Sequence, residues 1–123
     1  LLLDTCVLID EFKRPSGRLG AINRPQRATS AVALWEFLHI AKGALLPERE
    51  LRDRRAWLVD QDIVALPLSA GVGQSFEDLL ETEGPSNVGD AVLAAHCLSE
   101  PYPLVTRNVK DFKDVRGLRY VEW

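Results

Sequence analysis

The tightest constraint this sequence places on its fold is the alternation of short apolar runs with longer amphipathic stretches. Residues 1–3, 27–30, 63–66, 103–106 and 118–121 read as strands, the last with Leu118 and Tyr120 on one face. Between them, apolar residues recur at helical spacing. Val7, Leu8 and Phe12 follow the first run, and Leu34, Phe37, Leu38 and Ala41 mark a helix from Val32 that should end in the region 43–47. Residues 48–59 predict a charged surface helix with Leu51 and Leu58 inside. Ser69 is placed to cap a helix running to about Glu83, with Val72, Phe76, Leu79 and Leu80 inward and Gly84-Pro85 as its stop. The stretch 90–98 is a small-residue helix whose alanines allow close packing on a sheet, and 107–112 is a turn. Such a pattern predicts a three-layer α/β sandwich with a mainly parallel central sheet. Ligands of these sheets bind beyond the carboxyl ends of the strands, which picks out Asp4 and the segment 106–108.

The chain of 123 residues has the length of one ordinary domain, so 1–123 is expected to fold as a single unit. No apolar run approaches the ~18 residues of a membrane span, and no basic-then-apolar leader is seen, which points to a cytoplasmic protein away from membranes. Cys6 and Cys97 lie in apolar helical patterns and read as small buried hydrophobes. The net charge of −3 runs against nucleic-acid binding, but the charge is segregated. Between Phe12 and Trp35 there is no acid and there are five cations, Lys13, Arg14, Arg18, Arg24 and Arg27. Pro15, Gly17, Gly20 and Pro25 make this stretch a loop with one helical turn near 19–22. It reads either as a phosphate-attracting face or as an ordinary solvated loop.

Three acids stand out by context. Asp4 ends an apolar strand, Asp90 opens a helix after Gly89, and Glu36 sits among Leu34, Trp35, Phe37 and Leu38. Asp4 also reads as a helix cap, and Asp90 as a charge favoured by a helix dipole. Glu36 resists such a reading, because a carboxylate among bulky apolar residues is costly without a compensating cation or donor.

Four stretches, LLLDTCVLID, SAVALWEF, GDAVLAAHCL and LVTRNVKDF, occur in an order that resembles the PIN domain and, within it, the VapC toxins of toxin–antitoxin pairs. The resemblance implies a PIN-like α/β/α fold and a Mg²⁺- or Mn²⁺-dependent endoribonuclease. It makes Asp4, Glu36 and Asp90 the metal-holding carboxylates and sets Ser30 and Thr106 near them. It also implies a homodimer and a cognate, VapB-like antitoxin that covers the acidic pocket. A hard dication suits such oxygen ligands. Where the family usually carries a fourth acid, this chain has Asn108, with Asp111 three residues on. Asn108 can still ligate through its carbonyl, and Asp111 either joins the site or simply caps or pairs with Arg107 or Lys110. Arg14, Arg18, Arg24 and Arg27 are the candidate RNA contacts. A housekeeping PIN nuclease and a catalytically silent PIN-like binding module are the alternatives within the same fold.

The remaining features point elsewhere. Glu36 and His39 have a Glu-x-x-His spacing, but one copy is too few for a di-iron bundle. His39 and His96 are expected near the core or an interface. Trp35, Trp57 and Trp123 lack the close grouping of a stacking platform and are assigned to packing or subunit contact. No Gly-rich phosphate loop, Ser-His-Asp set or Cys-x-x-Cys occurs.

Overall fold

The computed structural model describes residues 1–41, 44–82, 84–85, 87–100 and 102–123, with backbone alone for 40 and 41. The chain runs through β1 (Leu2–Leu3), α1 (Thr5–Lys13), β2 (Ala28–Ser30), α2 (Ala31–His39), β3 (Ile40–Ala41) and β4 (Ala44–Leu45). It continues through α3 (Glu48–Asp60), β5 (Val64–Leu66), α4 (Ala70–Leu80), α5 (Val88–Ser99), β6 (Leu104–Thr106) and β7 (Tyr120–Glu122). Short 3₁₀ turns occupy Arg18–Ala21, Arg24–Gln26 and Val109–Asp111. Five strands form a parallel sheet in the order β5-β2-β1-β6-β7.

The fully buried strands, β1, β2 and β6, lie in the middle of this sheet, as parallel pairing with both faces covered requires. Alternation along them divides the core in two. Leu2 and Leu104 face a cluster with Leu93, Ala94 and Cys97 of α5, while Leu3 and Val105 face Val7 and Leu8 of α1, Phe37 and Leu38 of α2, and Leu58 of α3. The sheet is therefore the middle of three layers, as the alternation predicts. Parallel register pairs Leu3 with both Thr29 and Val105. Asp4, Ser30 and Thr106 consequently come level at one edge.

Several local expectations change. The helix from Val32 stops at His39, and Ala41, expected on its inner face, belongs to an antiparallel pair that sets Ile40 against Leu45 and Ala41 against Ala44. This ladder supplies backbone partners that another helical turn would otherwise provide. Of the predicted stop region 43–47, residue 43 lies outside the described residues, and Ala44–Leu45 already form β4. α4 ends at Leu80, and Glu83 is likewise outside the described residues. Leu80 is 69% exposed, because Val72, Phe76 and Leu79 make the inward stripe and Leu80 lies about 100° further round the final turn. The last strand begins at Tyr120, since Gly117, at φ 82°, and the bond from Leu118 N to Val115 O keep Leu118 in the preceding turn.

Two arginines are structural. Arg54 shares the inner stripe of α3 with Leu51 and Leu58, lies over the rings of Phe12 and Phe37, and donates to Phe37 O at 2.8 Å. Trp57 completes this aromatic group, which agrees with its assignment to packing. Arg27, expected as an RNA contact, is only 5% exposed and donates to the carbonyls of Leu19, Ile22 and Gln61 at 2.8 to 3.0 Å. It ties the basic loop and the C-terminal end of α3 to β2, so its guanidinium is unavailable to phosphate. Arg24 differs: its side chain stays 53% exposed, with Nη1 donating to Asp60 O and pairing with Asp62 at 2.9 Å. No described helix is long and apolar enough to cross a membrane.

Arg27→Ala leaves two buried carbonyls and one part-buried carbonyl without their donor, and hydrogen bonds to charged groups contribute roughly 1.5 to 3 kcal/mol each, though not additively. The expected loss is about 3 kcal/mol, read as a fall in urea midpoint at unchanged slope. A loss below about 0.5 kcal/mol, the usual range for a surface substitution, would return Arg27 to the surface residues.

Candidate active site

The level edge of β1, β2 and β6 organises the site. Asp4 follows β1 with extended backbone, and its carboxylate is 4% exposed. Oδ1 accepts from Thr5 N at 2.7 Å, which caps α1, and Oδ2 accepts from the Thr106 hydroxyl at 2.7 Å. Asp4 thus serves as both cap and site residue. Thr106 Oγ1 in turn accepts from Asn108 N at 3.0 Å. Cys6 is half-buried, packed against the α1 side of the core, and its thiol also points at Asp4 Oδ2 from 3.4 Å, so it is a polar neighbour of the site as well. Burial, then the Asp4 charge, push its pKa to about 11 and keep the proton on sulfur. Cys97 is the buried hydrophobe that the sequence suggests.

Glu36 reaches the same region from α2. Burial, followed by the charge of Asp4, raises its pKa, and a hydrogen bond from the Thr5 side chain partly opposes this. Gly89 gives the carboxylate room: a Cβ there would sit 2.9 Å from Glu36 Oε1. Asp90 stands in the first turn of α5, where its backbone N–H donates to the Asn87 side chain at 3.2 Å. Its pKa rises to about 6 through burial, then through Asp4, Asp111 and Glu36. The dipole at the start of α5 alone would lower it. Burial and three surrounding carboxylates outweigh that effect.

Asp111 belongs to this field and does not pair with Arg107, whose guanidinium bonds Asp10 instead. Asn108 enters the network through its backbone, and its side chain caps nothing. Ser30 is fully buried one strand away, its Oγ accepting from Ala33 N at 3.1 Å at the start of α2. A polar cleft of about 380 Å³ opens beside Asp90, with Asp111, Lys110 and Asn87 on its wall. The cavity of about 430 Å³ by Leu79, Leu98 and Arg116 is bordered by none of Asp4, Glu36 and Asp90.

As they stand, no three His, Cys, Asp or Glu side chains among the described residues are grouped to hold one ion. The donor chemistry nevertheless suits a hard dication: carboxylates from separate elements repel one another, and Asp90 has only acids among its charged influences. Thr5, Asn87 and Gly89 were missed as supporting residues in the sequence. Asn87-x-x-Asp90 carries a legible cap signal, whereas the roles of Thr5 and Gly89 depend on how α2 and α5 meet.

Residues 1–118 match the PIN domain family. The chain is 27% identical to a tRNA(fMet)-specific endonuclease VapC of Shigella flexneri, over 99% of this chain and 96% of that protein. Its structure is similar to DNA-bound VapBC from Salmonella typhimurium, with a TM-score of 0.81, 25% identity, and coverage of 99% of this chain and 96% of that one. It is also similar to a toxin–antitoxin complex from Klebsiella pneumoniae, with a TM-score of 0.70, 26% identity, and coverage of 98% and 94%. The parallel sheet, the acids gathered at its carboxyl edge and the match over 1–118 lead to one family: the chain belongs to the PIN domain proteins.

Proposed function

We propose that this protein is a Mg²⁺- or Mn²⁺-dependent endoribonuclease, the cytoplasmic toxin of a VapBC-type pair, restrained by a cognate antitoxin. The observation that carries this reading is Asp90, a half-buried carboxylate raised to about 6 by burial and by the charges of Asp4, Asp111 and Glu36. Similarity to the VapC endonuclease and to toxin–antitoxin complexes supports the same reading.

Asp4, Glu36 and Asp90 would hold the cation, with Asp111 or the Asn108 carbonyl as a fourth contributor. A bound dication would neutralise charge on the phosphodiester and lower the pKa of an attacking water. Thr106 and Thr5 fix the Asp4 carboxylate by hydrogen bonds to each of its oxygens. Gly89 lets Glu36 lie against the first turn of α5. Without a cation, Asp90 keeps its proton up to about pH 6, so cation binding is expected to strengthen as pH rises through that value.

Asp4→Asn and Asp90→Asn are each expected to reduce RNA cleavage at least about a hundredfold while the circular dichroism spectrum is retained. EDTA should silence wild type, and Mn²⁺ should restore it. The RNA named for the Shigella flexneri relative, tRNA(fMet), is the first substrate to test. Undiminished cleavage by Asp90→Asn in EDTA would refute the metal mechanism. Gly89→Ala forces its methyl against Glu36 and should also lower cleavage, through displacement of that carboxylate. Full activity in this variant would remove Glu36 from the reacting centre.

The raised Asp90 pKa also sets a stability profile. Between 3.8 and about 6 the folded chain binds more protons than the unfolded chain, so metal-free stability falls as pH rises through that window. At pH 7, Asp90→Asn should be more stable than metal-free wild type by about 0.5 to 2 kcal/mol. The value belongs near the lower end, because solvent screens a half-exposed carboxylate. The advantage should close near pH 4 in thermal melts. A variant less stable than wild type at pH 7 would contradict the repulsion.

A further inference from the structure

A second polar cleft, of about 340 Å³, lies beside the carboxylate edge and takes no part in the chemistry described above. Two connections fix its position. Arg107 in its wall directly follows Thr106, and Asp10 stands six residues after Asp4 on α1, roughly 9 Å along the helix. Arg14, Arg18 and Trp123 complete the rim.

Its charges are arranged unequally. Asp10 is paired with Arg107. Glu11 is 4% exposed, and its carboxylate accepts from Ser16 N, the Ser16 hydroxyl and Trp123 Nε1, the last at 3.3 Å. Both acids are therefore occupied within the wall, while Arg14 and Arg18 are exposed and in no ion pair among the described residues. The Arg18 guanidinium lies 4.9 Å from the centre of the Trp123 ring, held there partly by Nε donating to Ser16 Oγ at 3.4 Å. Glu11 thus anchors the indole and, through Ser16, the guanidinium above it. A flat cationic stack of this kind suits a nucleobase, and the free Arg14 beside it suits a phosphate.

We propose that this cleft binds a single-stranded nucleotide of the RNA substrate next to the one at the carboxylates, its base stacked on Arg18 and Trp123 and its phosphate on Arg14. The proposal rests on the nuclease reading and extends it to a defined substrate contact. An acidic protein segment is the competing occupant. The stack favours RNA, because an acidic side chain has no ring to lay on it.

The test uses a fluorescein-labelled single-stranded oligoribonucleotide with Asp90→Asn protein, so that binding is read without cleavage. Adding Arg14→Gln or Arg18→Gln should weaken binding roughly tenfold, and Arg14→Gln should lower the salt slope by about one. Tryptophan fluorescence should be quenched on binding in the parent and not after Trp123→Phe. The exposed arginine variants carry the test even where Trp123→Phe loosens packing. Unchanged affinity and salt slope in both arginine variants, with wild type still cutting RNA, would overturn the cleft assignment alone. The same result with weakened antitoxin binding would overturn it in favour of a protein contact. Wild type that neither binds nor cuts RNA would overturn the nuclease reading as well.

Discussion

The hydrogen bond from Thr106 to Asp4 joins the two buried central strands where they end, and the site is arranged around it. It requires β1 and β6 to be parallel and in register, so that residues 102 positions apart meet at 2.7 Å. That register follows from Leu2, Leu3, Leu104 and Val105, each packed into one of the two apolar layers. A slip of one residue would exchange those layers and separate the threonine from the carboxylate. Sheet packing and site assembly are therefore one constraint.

Around this bond the chain gathers charge that folding alone would not favour. Glu36 sits on a helix otherwise rich in apolar residues, and Asp90 holds its proton to about pH 6 under the influence of its neighbours. Stability comes from elsewhere, notably from Arg27 and Arg54, whose guanidinia bind buried backbone carbonyls. The division of labour is clear. Cations inside the protein serve the fold, and acids at the sheet edge remain uncompensated, as a site for a dication requires. The proposed nucleotide cleft continues the logic, since Asp10 is paired and Glu11 hydrogen-bonded within its wall, while Arg14 and Arg18 are exposed.

Legibility of the sequence followed the range of the forces involved. The strand–helix alternation predicted the layers, because burial on both faces leaves a local signature in Leu1-Leu2-Leu3 and Leu104-Val105. Asp4, Glu36 and Asp90 were visible through their apolar surroundings and the order of four motifs. What local reading could not supply was pairing between distant segments. Arg27 looked like its neighbours Arg14 and Arg18, and only the closure of the 19–27 loop onto Gln61 makes it structural. Arg54 carries the local signature of a surface charge, because only Leu51 and Leu58 are apolar in the 51-54-58 spacing. Trp123 looked isolated because its partners, Glu11 and Arg18, lie more than a hundred residues away. The short β3–β4 pair was hidden for the same reason, as its ladder and not its composition ends α2.

The central claim is that Asp4, Glu36 and Asp90 form one cation site, and paramagnetic broadening tests it directly. Substoichiometric Mn²⁺ added to ¹⁵N-labelled protein should first erase the amide signals of residues 4–6, 36 and 89–90, together with Thr106 and Asn108. Signals from Val59 and Asp62, which lie beyond the opposite ends of the strands, should persist. Loss centred on another acidic surface, such as the α3 face bearing Glu48 and Asp53, with Asp4 and Asp90 unaffected, would contradict the account.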